Sequence, residues 1–493
     1  MSDPVYTVAD IRDLERRALA ADPDPSLMAR AGLAAAERAR TLLGNRGGSV
    51  LVLVGPGNNG GDALEVAVHL KRWFFRVSVL FAGDPAQLSG DAGAALEKWR
   101  AVDGRLLLDI PPREHFDLAV DGLFGIGLAR PLEGRMAELV SSLNGLTCPV
   151  LALDIPSGLH AETGVALGAT IRATHTVTFI ALKPGLLTLD GPDHCGVLEV
   201  NTLGLDVERL LAPRGRRVDA GALGALPRTR PSNFHKGLAG NLAVIGGAQG
   251  MLGAALLAGR AALKSGAGKV FLGLIADEAA AVDWAQPELM LRTAESLFTD
   301  VPIDVYAVGP GMGQDAVAQR LLAQALRSDK PVVLDADALN LVAGYSVLQN
   351  ALASRKAASV LTPHPAEAGR LLGSNVKAVQ SDRLAAARAL ARKFASHVVL
   401  KGNGSIVAAP DGRFWINGSG NPGMASAGMG DVLTGIVASL LAQGASAADA
   451  LIAGVWLHGA AADELVAGGV GPIGLAAGEL ADTARTLLNR RSA

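Results

Sequence analysis

Residues 49–62 read SVLVLVGPGNNGGD. The unbroken Val and Leu run from Val50 to Val54 lacks the alternation of a half-exposed strand, so it reads as a strand covered on both faces that runs into a glycine-rich turn. A helix follows, with Val66, Ala67, Leu70, Trp73 and Phe74 on one face. The next strand is RVSVLF, residues 76–81, and the same alternation continues through FDLAVDGLFG (116–125), CPVLALDIPSG (148–158) and HTVTFIALKPG (175–185). Buried strands separated by helices are the pattern of an α/β sheet.

The pattern fades between about Leu210 and Asn233, in LLAPRGRRVDAGALGALPRTRPSN, a basic stretch rich in Pro and Gly that reads as a domain boundary. It restarts in NLAVIGG (241–247), KVFLGLI (269–275), VYAVGPG (305–311), PVVLDADALN (331–340), SVLTPHP (359–365) and HVVLKGNGSIVAAP (397–410). Two α/β domains are expected, residues 1–215 and 222–493, with glycine and acidic clusters just after strands, where open α/β sheets bind ligands.

Lys and Arg number 45 against 47 for Asp and Glu, a net charge of −2, which leaves no basic field for nucleic acid or an anionic membrane. Small-molecule partners are expected instead. A hydrophobic content of 49% with 60 glycines suits deep cores and buried subunit contacts, hence a homo-oligomer. Cys148 and Cys195 have neither metal-like nor redox-like spacing and read as buried hydrophobes. The opening MSDPVYTVADIRDLERRALA lacks the apolar core of a signal peptide, and a cytoplasmic location is expected.

In SAGMGDVLTGIVASL, residues 426–440, Val432, Leu433, Ile436, Val437 and Leu440 recur at helical spacing, which sets the glycines at a helix N-terminus. Unpaired N–H groups and the positive dipole end attract anions there. Asp431 in the first turn then has two readings: a helix cap, or a carboxylate that works beside a bound phosphate. FWING, 414–418, reads as a short strand leading into this stretch.

GPGNNG, 55–60, matches G-x-G-x-x-G between a strand and a helix, with Asp84 after the next strand, and invites a dinucleotide reading. Pro56 and the paired asparagines are foreign to that fingerprint, and no hydride-transfer constellation follows. GPGNNGGD, VDGLFGIGL, ALDIPSG and VTFIALKPG, in this order, instead resemble the NAD(P)H-hydrate epimerase family over most of residues 10–210. The resemblance implies a Rossmann-like three-layer domain that epimerises C6-hydroxylated NADH and NADPH (NADHX and NADPHX). It further implies a potassium ion held by Asn59, Asp121 and Ser157, and substrate contacts from Asn58, Asn59, Gly60, Gly61, Asp62, Gly125, Ile126, Gly127, Leu128, Ala129, Arg130, Pro131 and Asp154. Oxygen ligands suit such a hard ion. On the residues alone, Asn58 and Asn59 serve equally as turn formers, and Asp154 as the cap of a strand end. The family usually continues with glycine after the aspartate and then a small or aliphatic run, whereas this chain has Ala63 and, nearby, Glu65; a Cβ at 63 would crowd an approaching phosphate, and Glu65 adds negative charge.

Residues 225–490 resemble the ribokinase-like, ADP- or ATP-dependent NAD(P)H-hydrate dehydratases through HKGLAGNLAVIGG, GMLGAALLAGRAAL, AVGPGMG, VVLDADALN, LTPHPAEAGRLLG, LKGNGS and NPGMASAGMGD. With both regions on one chain, the whole is similar to the bacterial bifunctional NAD(P)H-hydrate repair enzymes. This implies a three-layer ribokinase-like domain in which Ala254, Gly311, His364 and Asp431 hold the hydrate. Nucleotide binding falls to Lys401, Gly402, Asn403, Gly404 and Ser405, together with Asn421, Pro422, Gly423, Met424, Ala425, Ser426, Ala427, Gly428, Met429 and Gly430. ADP or ATP with magnesium is the implied co-substrate, and Asp431 the base that takes the C6 hydroxyl proton. Glu367 either helps arrange magnesium or faces solvent as a first-turn glutamate; Asp335 and Asp337 either orient water or metal or cap a loop. A small-molecule kinase remains the rival for this half, and a nucleotide-binding scaffold for the first.

Overall fold

The computed structural model describes residues 3–21, 26–44, 47–111, 114–226, 230–279 and 281–490; Pro227, Arg228 and Thr229 of the boundary stretch lie outside the described residues. The chain forms two compact units, Asp3–Arg214 and the residues from Gly215 onward. Part of the composition break is therefore sheet: Gly215–Val218 pairs in parallel with Phe414–Asn417.

The first unit is built on a seven-stranded sheet. Its order across the sheet is Leu106–Leu107, Arg76–Phe81, Ser49–Val54, Leu118–Gly122, Val150–Leu153, His175–Phe179 and Val197–Asn201, and every neighbouring pair is parallel. Val50, Val52 and Val54 join a core with the helices Val8–Ala21, Leu27–Leu43, Asn58–Arg72 and Gly90–Ala101. Leu51 and Leu53 face the opposite core with the helix Gly134–Asn144. The central strand is thus apolar at every position because helices cover both of its faces.

Two expectations need correction. The helix after Gly57 ends at Arg72, so Phe74 leaves its face: it has a φ of 66° and is exposed. Cys148 is half-buried, while Cys195 is buried as expected.

In the second unit the sheet order is Gly215–Val218, Phe414–Asn417, Ile406–Ala408, His397–Leu400, Ser359–Leu361, Val332–Leu334, Val305–Val308, Asn241–Gly246, Lys269–Leu274 and Met290–Thr293. Only Ile406–Ala408 runs antiparallel to its neighbours among these strands. One face carries the helices Leu252–Lys264, Met429–Ala442, Ala447–Ala467 and Ala477–Arg490. Helix Ala447–Ala467 is long and apolar enough to cross a membrane by length and composition, but Leu451, Val455 and Leu457 are buried in this core.

Helix Met429–Ala442 buries Val432, Leu433, Ile436, Val437 and Leu440, the stripe read from sequence, and each such side chain contributes roughly 1.5–3 kcal/mol. Gly435 lets it lie against helix Leu252–Lys264, because a Cβ there would stand 2.1 Å from the carbonyl oxygen of Ala258. Its N-terminus, with Gly428 at a φ of 86°, is thereby fixed at the ends of the parallel strands.

Candidate active sites

In the first unit Ser49–Val54 has one parallel neighbour on each side, Arg76–Phe81 and Leu118–Gly122, and the crossovers leave in opposite directions. A cleft opens at such a switch point. Here it is a cavity of about 570 Å³, lined among others by Asn58, Asn59, Asp62, the loop Gly125–Leu128, Asp154 and Lys183. Gly60 and Gly61 lie behind it, against Gly55 and Met28, while Ala129, Arg130 and Pro131 are exposed beyond the lining residues.

Asp154 follows the strand Val150–Leu153 with a φ of 63°, a left-handed conformation that costs a non-glycine residue about 1–3 kcal/mol. Lys183 donates to Asp154, to Thr178 Oγ1 at 2.9 Å and to the Phe179 carbonyl at 2.7 Å, while its side chain is only 1% exposed. Backbone strain of this kind clusters at functional sites, and here it holds the partner of a buried ammonium at a cavity wall. The signal in the sequence was a lysine inside the apolar run of VTFIALKPG, a motif whose lysine had been given no role.

Beneath the cavity Asp121 accepts from Ser157 N at 2.8 Å and from Ser157 Oγ at 2.7 Å. Complete burial pushes the Asp121 carboxyl up to about 6 despite those hydrogen bonds. The Phe124 N–H donates to Ser157 Oγ at 2.8 Å, and a Cβ on Gly125 beside it would fall 3.4 Å from the Asn59 side chain. Both polar atoms of the Asn59 amide are buried without a hydrogen-bond partner among the described residues. An orphaned buried amide is uncommon and calls for a partner such as water or an ion.

Asp62 is held well above the usual carboxylate range by burial first and then by the nearby Asp154, Glu15 and Glu65. Glu15, on helix Val8–Ala21, also lines the cavity, and burial followed by Asp154 raises it too. Nothing in its sequence surroundings pointed there. The crowding expected from Ala63 does not occur, because its methyl group faces Gly122 in the core. Glu65 is buried and paired with Lys98.

In the second unit the ends of Val332–Leu334 and His397–Leu400 meet the N-terminus of helix Met429–Ala442. Lys401 Nζ lies 2.8 Å from Asp335 Oδ1, and Thr434 Oγ1 donates to Asp335 Oδ2 at 2.8 Å. Burial pushes the Asp335 carboxyl up, but the Lys401 charge and the hydrogen bonds from Lys401, Thr434 and Thr362 outweigh it and hold the group below its ordinary range. Asp335 is therefore occupied by this ion pair rather than by loop capping. Asp337 does cap a loop, accepting from the Gly313 N–H at 3.0 Å. Burial, then the Asp335 charge, pushes the Asp431 carboxyl up to about 7, with Lys401 opposing.

His364 caps the helix Pro365–Leu372: its Nδ1 accepts from the N–H groups of Ala366 and Glu367, and its own N–H donates to Glu367 Oε2 at 2.8 Å. With Nδ1 accepting, the hydrogen-bond network assigns the proton to Nε2, which stands 3.2 Å from Glu367 Oε1. Glu367 does not face solvent; it is buried, and that burial raises its carboxyl to about 7. Pro363 and Pro365 flank His364, and with this capping box they restrict its backbone.

The loop at 402–405 closes on itself, Ser405 Oγ accepting from Gly402 N at 3.2 Å and donating to Gly402 O at 2.9 Å. Behind it, buried Arg383 donates to the carbonyls of Leu400 and Lys401. Asn421 begins the second loop, its Nδ2 bound to Asp463 Oδ1 at 2.9 Å, with Ala425, Ser426 and Ala427 exposed and Met429 in the core. Gly311 and Ala254 come together, a Cβ on Gly311 falling 3.1 Å from that of Ala254. Arg383 and Asp463 escaped the sequence reading because their partners are backbone groups and distant loops.

Residues 242–484 match the family model described as NAD(P)H-hydrate dehydratase, and residues 25–185 match that of the YjeF-related protein N-terminus. The bifunctional NAD(P)H-hydrate repair enzyme of Escherichia coli K12 is 41% identical over 87% of this chain and 82% of its own length. This chain belongs to the bifunctional NAD(P)H-hydrate repair enzymes. A ribokinase-like superfamily protein from Enterococcus faecalis V583 is 27% identical and superimposes with a TM-score of 0.50, covering 57% of this chain and 97% of its own, so the second unit has the ribokinase-like fold. An ADP/ATP-dependent NAD(P)H-hydrate dehydratase from Bacillus subtilis, co-crystallised with ATP and Mg²⁺, is 30% identical over 55% of this chain and 97% of its own, with a TM-score of 0.49.

The Lys183–Asp154 pair makes a prediction for the first unit. Lys183→Met leaves a carboxylate uncompensated at the cavity wall, and stability should fall by about 3–5 kcal/mol, read from the urea unfolding transition of that unit. An unchanged transition would mean that the pair holds no buried charge in place.

Proposed function

We propose that the two units divide the repair of hydrated NADH and NADPH, residues 1–215 interconverting the two C6 epimers and residues 222–493 dehydrating the S form. The observation that carries this reading is Asp431: a carboxyl raised to about 7 at the N-terminus of a buried helix, beside Lys401. A group poised there accepts a proton near neutrality. Asp431 takes the C6 hydroxyl proton as that oxygen attacks the terminal phosphate of ADP or ATP. That attack breaks the bond from the phosphorus to AMP or ADP; inorganic phosphate then departs from C6, pushed out by the ring nitrogen, and loss of a C5 proton restores the dihydronicotinamide.

Lys401 to Ser405 and Asn421 to Gly430 offer the nucleotide an ammonium and backbone N–H groups at a helix N-terminus. Magnesium carried by the nucleotide would neutralise phosphate charge. His364, Ala254 and Gly311 bind the hydrate. In the first unit, Asn59, Asp121 and Ser157 would hold potassium, a role supported by the orphaned Asn59 amide and the oxygen-rich surroundings. Asp154 and Lys183 are the groups placed to move a proton at the cavity wall. The protein acts on small molecules in the cytoplasm as a homo-oligomer, without nucleic acid or membrane.

Asp431→Asn should keep nucleotide binding by calorimetry and lose dehydration by about 10²–10⁴-fold. In the wild type the rate should be level above about pH 7 and fall as pH drops below it, because the base must be ionised. Near-normal turnover in folded Asp431→Asn excludes the base role, and accumulation of a stable phosphorylated hydrate marks a kinase.

Replacing potassium by sodium should slow epimerisation, followed by resolving the two epimers chromatographically, and Asp121→Ala should weaken it while dehydration of the pure S epimer continues. Epimerisation indifferent to potassium counts against the site.

A further inference from the structure

Lys401 and Asp431 belong to different segments of the second unit, one at the end of strand His397–Leu400 and the other in the first turn of helix Met429–Ala442. Asp335 touches both segments. One oxygen accepts from Lys401 Nζ at 2.8 Å and the other from Thr434 Oγ1 at 2.8 Å, and Thr434 is one helical turn beyond Asp431. The helix start rests on the same pair: a Cβ at Gly430 would lie 3.0 Å from Lys401 Nζ and 3.3 Å from Asp335 Oδ2. Asp335 is 1% exposed, and Thr434 is fully buried. Water is thus shut out from the Thr434 contact, while the contact with the partly exposed Lys401 is a charge-assisted hydrogen bond to a buried carboxylate.

We propose that Asp335 is the positioning residue of the dehydratase site, a buried carboxylate that locks the ammonium of the phosphate loop to the helix carrying the base. It does not touch the reacting atoms. Its two oxygens set the distance between the cation that meets the nucleotide and the carboxylate that meets the hydroxyl. A small misplacement of either costs rate more than affinity, because only the transition state needs both in register. The charged groups around the base are Asp335, Asp337, Glu367 and Lys401, so losing the Asp335 anion leaves the Lys401 ammonium as the dominant near charge. The base then ionises more readily. This inference rests on the reading of Asp431 as the base.

The test compares full-length wild type with Asp335→Asn and Thr434→Val, recording kcat, the nucleotide KM and the pH dependence of dehydration of the S hydrate, with melting temperature as a control on folding. Asp335→Asn should lower kcat by about 10–100-fold with a change in KM of less than about fivefold. It should also move the acid limb down by about one pH unit. Thr434→Val, which keeps the anion but frees the helix, should lower kcat by about 3–10-fold and leave the acid limb in place. If both variants fold with the wild-type kcat and acid limb, the residue is structural and the inference is overturned, as it is if Asp335→Asn shifts KM alone. Should Asp335→Asn not fold, Thr434→Val decides by itself, and a wild-type kcat in it overturns the inference. The wild-type acid limb separates this from the parent reading: if that limb is missing, or Asp431→Asn turns over normally, the base assignment fails first.

Discussion

A parallel strand can return to its sheet only through a crossover, so the loops that follow successive strands collect along one edge. Both units obey this constraint, and both sites follow from it. Asp154 and the Gly125–Leu128 loop come after neighbouring strands of the first sheet, as Asp335 and Lys401 come after strands of the second. Residues far apart in the chain, such as Asp335 and Thr434, reach hydrogen-bond distance because the sheet gathers their segments.

The two sites also treat charge alike. Each sets a lysine against an aspartate, a buried Lys183 with Asp154 and a partly exposed Lys401 with a buried Asp335. Burying such a pair gains little stability over an apolar packing of the same volume, so the arrangement is better understood through what it does to its neighbours. Burial first, and then the Asp154 charge, raises the carboxyls of Asp62 and Glu15 against the opposing Lys183; burial, with Asp335 adding and Lys401 opposing, raises those of Asp431 and Glu367 to about 7. A carboxyl that exchanges its proton near neutrality, as Asp431 does, is what hydroxyl activation requires.

Much of this was legible in the sequence. The apolar run from Val50 to Val54 marked the strand Ser49–Val54, RVSVLF was read as the strand Arg76–Phe81, and the stripe from Val432 to Leu440 placed the helix behind Asp431. Periodicity could not show where helix Asn58–Arg72 stops, since Phe74 continues the spacing while its backbone has already turned. Strands as short as Leu106–Leu107, or in a basic stretch such as Gly215–Val218, carry too little apolar signal to register. Motif resemblance pointed to the loops around the two sites but not to the residues that support those loops from behind. Arg383, Asp463 and the Asp335–Thr434 contact depend on long-range packing that no local pattern encodes.

The central claim is that one chain repairs both epimers because one site feeds the other. The most direct measurement supplies a mixture of R and S hydrates with nucleotide and magnesium and follows the return of dihydronicotinamide absorbance. The wild type should restore the whole sample, whereas a folded variant of the first site, Asp154→Asn, should restore the S share quickly and the remainder only at the slow spontaneous rate of epimerisation. Restoration of the whole sample by that variant in one phase at the wild-type rate would contradict the account.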